Sequence, residues 1–186
     1  MERGTDSYRR FLAGDENGLV EIIRDYKDGL ILYLNSFVNH VYTAEDLAED
    51  TFVRLAVKKP KDRQRAGFRT WLYTIGRNIA VDYLRKQQRN ATVPLEELPE
   101  QVSDREALEQ SYIREERRIL VHQSMGRLKP EYRQVLWLVY FEQFSMKEAA
   151  RVMGKSVHSV ETLAWRARQA LREVLKQEGY TYEELP

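Results

Sequence analysis

Apolar residues recur every three to four positions along most of this chain, and no stretch alternates apolar and polar residues between turn signals. That pattern admits helices and leaves no candidate for a sheet. Over residues 19–41, Leu19, Ile22, Ile23, Tyr26, Leu30, Leu34, Phe37, Val38 and Val41 share one helical face. A second helix is expected from Thr43, where Thr43-Ala44-Glu45-Asp46 has the form of a capping box with Asp in the usual place of Glu. Leu47, Ala48, Phe52 and Leu55 follow on one side. Residues 57–67 are basic, contain Pro60 and Gly67, and read as a loop. Phe68, Trp71, Leu72, Ile75, Ile79 and Tyr83 then restore the period, in a helix expected to end near 85–89. Pro94, Pro99, Ser103 and many acids over 87–108 mark a linker. Helical pattern resumes from about 108 to 125 and again over 131–142, after Pro130. The expected fold is all-α: two small helical domains joined by a flexible linker.

A length of 186 residues suits one domain or two small ones. Hydrophobic residues at 42% permit a modest core, and zero Cys excludes a disulfide scaffold, a cysteine zinc site and a thiol nucleophile. No run is long and apolar enough to span a bilayer and the N-terminus lacks a signal-peptide core, so no membrane insertion and a cytoplasmic location are expected. The formal net charge of +1 hides strong blocks. Residues 54–89 carry 11 basic and 2 acidic groups, residues 147–172 carry 6 and 2, and residues 91–116 between them carry 2 and 8. Two basic segments parted by an acidic one fit two anion-binding surfaces, or else the solvated faces of charged helices.

Near the C-terminus, Ser145-Met146-Lys147-Glu148 is a full capping box, Gly154 ends the short helix it starts, and a long helix begins near Val157. Helix, glycine turn, helix is the helix-turn-helix pattern. On the second helix Val157, Val160, Ala164, Ala167 and Leu171 share the expected buried face. Opposite them lie His158, Ser159, Thr162, Trp165, Arg166 and Gln169. Those groups suit base edges and thymine methyls in a major groove, with Arg151, Lys155, Arg168 and Arg172 alongside for phosphate. A solvated polar face with Trp165 packed on a neighbour is the plainer alternative.

On the central basic helix, Trp71, Thr74, Asn78 and Arg85 form one flank. An aromatic, a hydroxyl, an amide and a guanidinium in a row suit a single strand with its bases turned out. Arg63, Arg65, Arg69 and Arg77 are placed to follow its backbone. Spacing fits an ordinary amphipathic helix with Trp71 in the core equally well.

These segments together resemble the sigma-70 family of RNA polymerase sigma factors. Residues 44–55 (Ala44-Glu45-Asp46-Leu47-Ala48-Glu49-Asp50-Thr51-Phe52-Val53-Arg54-Leu55) look like its polymerase-binding helix. Residues 68–86, from Phe68-Arg69-Thr70-Trp71 to Leu84-Arg85-Lys86, look like its −10 recognition and melting helix. Leu128-Lys129-Pro130-Glu131-Tyr132-Arg133-Gln134-Val135 and the helix-turn-helix after it look like its −35 domain. The short linker matches the extracytoplasmic-function branch. The resemblance implies a bacterial initiation factor, not an enzyme, that needs no cofactor or metal. Its partners would be core RNA polymerase, duplex −35 DNA and single-stranded −10 DNA, and an anti-sigma protein is a further partner the resemblance admits. It implies region 2 over 1–89, a linker over 90–108, region 4 over 109–178 and a tail over 179–186.

By the same resemblance Asp46, Glu49, Phe52, Val53 and Leu55 lie on or beside the polymerase-binding surface. Arg65, Trp71, Tyr73, Asn78 and Arg85, with the 58–67 loop, meet the −10 strand, and Ser159, Thr162, Trp165 and Arg166 meet the −35 element. Glu49-Asp50 stands where the family commonly has Gln-Glu, and Glu161 and Leu163 stand where basic residues are common. A helix-turn-helix regulator acting without polymerase is the rival reading, and it leaves 44–86 unexplained. Catalysis finds little support, because His40, His122 and His158 are scattered and no phosphate-cradling glycine loop appears.

Overall fold

The computed structural model describes residues 3–58, 67–90 and 124–177. The described residues form helices and turns, with no strand. Four helices make the first bundle: α1 (Arg3–Leu12), α2 (Asn17–Val38), α3 (Val41–Lys58) and α4 (Phe68–Asn90). The second unit holds α5 (Pro130–Leu136), a wide π-type turn over Trp137–Phe141, α6 (Met146–Met153) and α7 (Val157–Gln177). The expected linker at 90–108 and the expected helix at 108–125 lie almost wholly outside the described residues.

The first bundle closes around α2, which packs on α1, α3 and α4. Leu30, Ile31, Leu34, Leu55, Phe68 and Leu72 are fully buried there. The periodicity reading does not include α1. It contributes Tyr8 and Phe11 to the core, and the Tyr8 ring lies 5.6 Å from Phe68 and 5.2 Å from Trp71.

The start of α3 corrects the sequence expectation. Asn39 takes a left-handed conformation (φ 53°) that ends α2 and returns its N–H to the Asn35 carbonyl. The chain is thereby reversed early enough for helix to resume at Val41. His40 is the cap: its Nδ1 accepts the Thr43 N–H at 3.3 Å and lies 3.0 Å from the Thr43 hydroxyl. Thr43 sits inside the first turn and caps nothing.

In the second unit Val135, Leu138, Ala149, Val160 and Ala167 are fully buried. The helix expected over 131–142 is not uniform. At Trp137 it widens, Glu142 N–H reaches the Trp137 carbonyl, and the Trp137 and Phe141 rings stack at 4.4 Å. The Ser145 capping box forms in full, and Gly154 makes the helix-turn-helix turn at φ 63°, which a side chain would strain. Val157 is 40% exposed rather than core, because α7 is covered only from Val160 onward.

Candidate nucleic-acid interface

Three faces emerge from this frame. The first runs along the outside of α3. Tyr42, Asp46, Glu49, Val53 and Val57 recur at three- and four-residue intervals and are all exposed, Val53 by 57% and Val57 by 75%. Apolar and acidic groups on one exposed stripe suit docking to a partner with basic rims. Phe52 and Leu55 do not belong to that surface. They are 6% and 0% exposed and point into the bundle, where their role is to fix α3 in place. A helix presents about a third of its residues to any one side, so five positions drawn from both sides cannot form one face.

The second face is a groove of about 580 Å³ between α3 and α4. Its lining includes Trp71, Asn78 and Arg85 from one flank of α4, with Arg77 beside them and Arg54 and Lys58 from α3 opposite. Four cations face one acid, Asp82, which also lies 3.7 Å from Arg85. Trp71 is half-buried: one side of its indole rests on Tyr8 and Phe68, and it also borders the groove. Asn78 and Arg85 are exposed. A positive groove with an aromatic wall and an amide is suited to a nucleic-acid strand with unstacked bases.

Thr74 and Tyr73 are not part of that lining. Thr74 donates its hydroxyl to the Thr70 carbonyl at 2.7 Å. Tyr73 is 1% exposed, with its ring 5.4 Å from Tyr33 and 5.2 Å from Phe144. Burial, reinforced by the Glu142 carboxylate, pushes its phenol well above the ordinary value. In this arrangement Tyr73 is a packing residue, because the second unit covers its side of α4. Arg65 lies outside the described residues, as does most of its loop. Arg54 is a groove residue that the sequence reading did not single out, and Lys58 entered it only as the start of the 58–67 loop. Their signal is an i, i+4 basic pair on the side of α3 away from Phe52 and Leu55.

The third face is on α7. Ser159, Trp165 and Arg166 are exposed, Trp165 by 55%, and Thr162 is half-exposed. Ser156 caps the helix by accepting the Ser159 N–H at 3.1 Å, and its hydroxyl lies 2.7 Å from that of Ser159. Arg151, Lys155, Arg168 and Arg172 surround the face, and Lys155 pairs with Glu131 at 3.1 Å. The helix that carries these groups follows a capped short helix and a glycine turn, a geometry that presents a helix to a major groove.

Comparison with known proteins gives concordant matches. The family model for sigma-70 region 2 matches residues 22–90, and that for sigma-70 region 4 matches residues 118–171. The chain is 30% identical over 159 residues to the RNA polymerase sigma factor YlaC of Bacillus subtilis, covering 84% of this chain and 91% of the relative. It is 28% identical over 171 residues to the ECF RNA polymerase sigma factor SigW of the same organism, covering 88% and 91%. Two solved structures share the fold. CnrH in complex with the cytosolic domain of CnrY superposes with a TM-score of 0.69 at 23% identity, over 95% of this chain and 99% of that one. The sigma factor RpoE with the anti-sigma factor NepR, from Bartonella quintana, gives 0.63 at 21% identity, over 84% and 95%.

Proposed function

Because the chain belongs to the sigma-70 family of RNA polymerase sigma factors, in its extracytoplasmic-function branch, we propose that its three faces divide the work of promoter engagement. As a sigma factor the chain is not an enzyme. It binds core RNA polymerase and directs it to particular promoters. The outer stripe of α3, with Asp46, Glu49 and Val53, is the polymerase contact. The α3–α4 groove, with Trp71, Asn78 and Arg85 and with Arg54 and Lys58 opposite, takes the non-template strand of the −10 element. The exposed face of α7, with Ser159, Thr162, Trp165 and Arg166, reads the duplex −35 element. Residues 1–89 and 109–178 are then the two working domains, with 90–108 as the tether and 179–186 as a tail.

One observation carries the assignment of the groove. Trp71, Asn78 and Arg85, spaced by seven residues along one helix, open onto the same cavity as the cations of α3. Stacking on an aromatic supplies affinity for any base, and the amide supplies choice among bases. No described helix is long and apolar enough to cross a membrane, which fits work on promoter DNA in the cytoplasm. An anti-sigma protein is a fitting regulatory partner, since one protein of the same fold has been solved with an anti-sigma factor and another with the cytosolic domain of CnrY.

The test is transcription from a randomised promoter library by core polymerase with and without the protein. Transcripts that start a fixed distance downstream of two enriched elements are expected only with it. Enrichment of the upstream element alone would remove the groove from the reading and leave the α7 face standing.

A further inference from the structure

Glu161 is the one acid in the first three turns of α7, on a face surrounded by Arg151, Lys155, Arg168 and Arg172. Nothing in the fold accounts for it. Its side chain is exposed, so packing does not require it. The residues three and four positions away are Val157, His158, Ala164 and Trp165, none of them Lys or Arg, so no intrahelical pair holds it. Among the described residues no ion pair includes it, and Lys155, in the turn before α7, is engaged by Glu131 at 3.1 Å. A carboxylate beside a phosphate backbone weakens binding, so a face built only for affinity would not carry one here.

At about 100° per residue, Ser159 and Arg166 stand at one edge of the exposed face of α7 and Glu161 at the other. His158, Thr162 and Trp165 lie between them. Glu161 is the fifth residue of the helix, in the N-terminal part that meets base edges when such a helix enters a major groove. Arg168 and Arg172 follow on its side of the helix about 10 and 16 Å further along, past the base-reading end.

The chemistry of base edges then narrows the choice. An ionised carboxylate only accepts hydrogen bonds. The major groove offers it two donors, the N4 amino group of cytosine and the N6 amino group of adenine. The adenine amino group lies between two acceptors, its own N7 and thymine O4, and both repel a carboxylate. The cytosine amino group has an acceptor, guanine O6, on one side only. We propose that Glu161 is a specificity-determining residue of the −35 face, selecting one cytosine through its N4 amino group. The inference rests on the reading of α7 as the −35 helix and names a base which that reading leaves open. The carboxylate weakens binding to every sequence by repelling phosphate, and offsets that loss only where the cytosine stands.

The test uses holoenzyme assembled from core polymerase and the full-length chain. It is bound to a promoter library randomised across the upstream element, and the bound fraction is sequenced. The parent is expected to enrich a cytosine at one position. Glu161→Ala is expected to lose that preference by about 5- to 150-fold, the range of one good base contact, and to bind the mismatched sequences more tightly than the parent does. Glu161→Gln adds an amide donor that meets adenine N7 while its carbonyl accepts from N6, so it is expected to move the preference at the same position to adenine. A merely structural role for Glu161 would move no base preference.

A cytosine preference that persists in both variants overturns the proposal. So does a uniform gain in binding with no position changed, which would set Glu161 against phosphate alone. Should Glu161→Ala fold poorly, the isosteric Glu161→Gln decides by itself. A parent that enriches no upstream element removes the α7 reading and the proposal with it, whereas an enriched element with no position that depends on Glu161 removes the proposal alone.

Discussion

Arg133 follows Ser36 by 97 residues and donates its Nε–H to the Ser36 carbonyl oxygen at 3.2 Å. Ser36 lies in the last turn of α2, where carbonyls have no partner within the helix and a cation is favoured by the helix dipole. The same side chain donates to the Gly126 carbonyl at 3.0 Å. One guanidinium therefore ends a helix in the first bundle and braces the entry to the second.

Arg133→Met keeps most of the aliphatic volume and removes every donor. Hydrogen bonds from a charged group contribute about 1.5–3 kcal/mol. For a chain of this size that corresponds to a fall of roughly 3–12 °C in Tm. Arg133→Lys keeps the charge near the helix end without the fork and should recover part of the loss. Thermal unfolding followed by circular dichroism at 222 nm measures both. A Met variant that melts with the parent would show that water replaces these bonds at no cost.

On α3 the prediction separates surface from core. Asp46→Arg and Val53→Glu alter exposed positions and should change stability by no more than about 0.5 kcal/mol. Both should weaken binding to core polymerase, measured by competition against labelled parent protein. Phe52→Ala should instead cost about 3–5 kcal/mol of stability through the cavity it leaves. Unchanged competition by folded Asp46→Arg and Val53→Glu would move the polymerase contact off this stripe.

How much of this was legible follows from which contacts are local. The Ser145 capping box, the Gly154 turn and the first face of α4 involve residues within a few positions of one another, and all three could be read from spacing. The His40 cap escaped because imidazole is not among the usual N-cap groups, and Thr43 three residues later offered a more familiar form. The burial of Tyr73 escaped for a different reason. Phe68 and Leu72 define one buried face of α4, while Tyr73 and Ala80, seven apart, define a second that is covered as the other unit packs there. Periodicity within a helix cannot show a partner that arrives from elsewhere in the chain. Gly29 shows the same limit: it reads as a weak point in α2 until Glu142 is seen above it.

The Ser145 box makes the helix-turn-helix acid-sensitive. Ser145 donates its hydroxyl to the Glu148 carboxylate at 2.6 Å and its N–H at 2.9 Å, and the hydroxyl bond is the main cause that holds the Glu148 carboxyl below its ordinary value. A depressed folded-state pKa stabilises the fold above the unfolded value, near 4.3. That contribution is lost as pH falls through the lower folded value. Ser145→Ala should raise the Glu148 pKa toward the ordinary range and cost about 1 kcal/mol of stability. Carboxyl carbon NMR through the titration reads the first effect, and melting at pH 7 the second. A Glu148 pKa unmoved by Ser145→Ala would assign the shift to the backbone N–H of residue 145, which the substitution keeps, and then to Arg69 and Arg151.

At the −35 face, Arg166→Ala should reduce discrimination among duplex sequences by about 1–3 kcal/mol if the guanidinium meets a base edge. Loss of a phosphate contact would weaken all sequences alike and flatten the salt dependence. Binding of the holoenzyme to single-base promoter variants at two salt concentrations separates the two roles.

The −10 groove gives the most demanding test, because both of its reading groups can be changed but only one of them cleanly. Trp71→Ala removes the packing that Trp71 shares with Tyr8 and Phe68, so it lowers stability along with any DNA contact. Asn78 is exposed, and Asn78→Ala should leave stability within about 0.5 kcal/mol. Opening about ten base steps costs on the order of 14 kcal/mol, at ~1.4 per step. Two bases captured by stacking return only about 2–6 kcal/mol. The free protein should therefore open no promoter, and melting should appear only with core polymerase. In that complex Asn78→Ala should cut permanganate reactivity of −10 thymines roughly five-fold or more, the equivalent of the ~1–3 kcal/mol an amide–base pair supplies. Polymerase binding should be unchanged, since Asn78 is on α4 and the proposed contact is on the outer stripe of α3. Melting by the protein alone, or full reactivity with Asn78→Ala, would take base reading away from this groove and leave it a channel for phosphates.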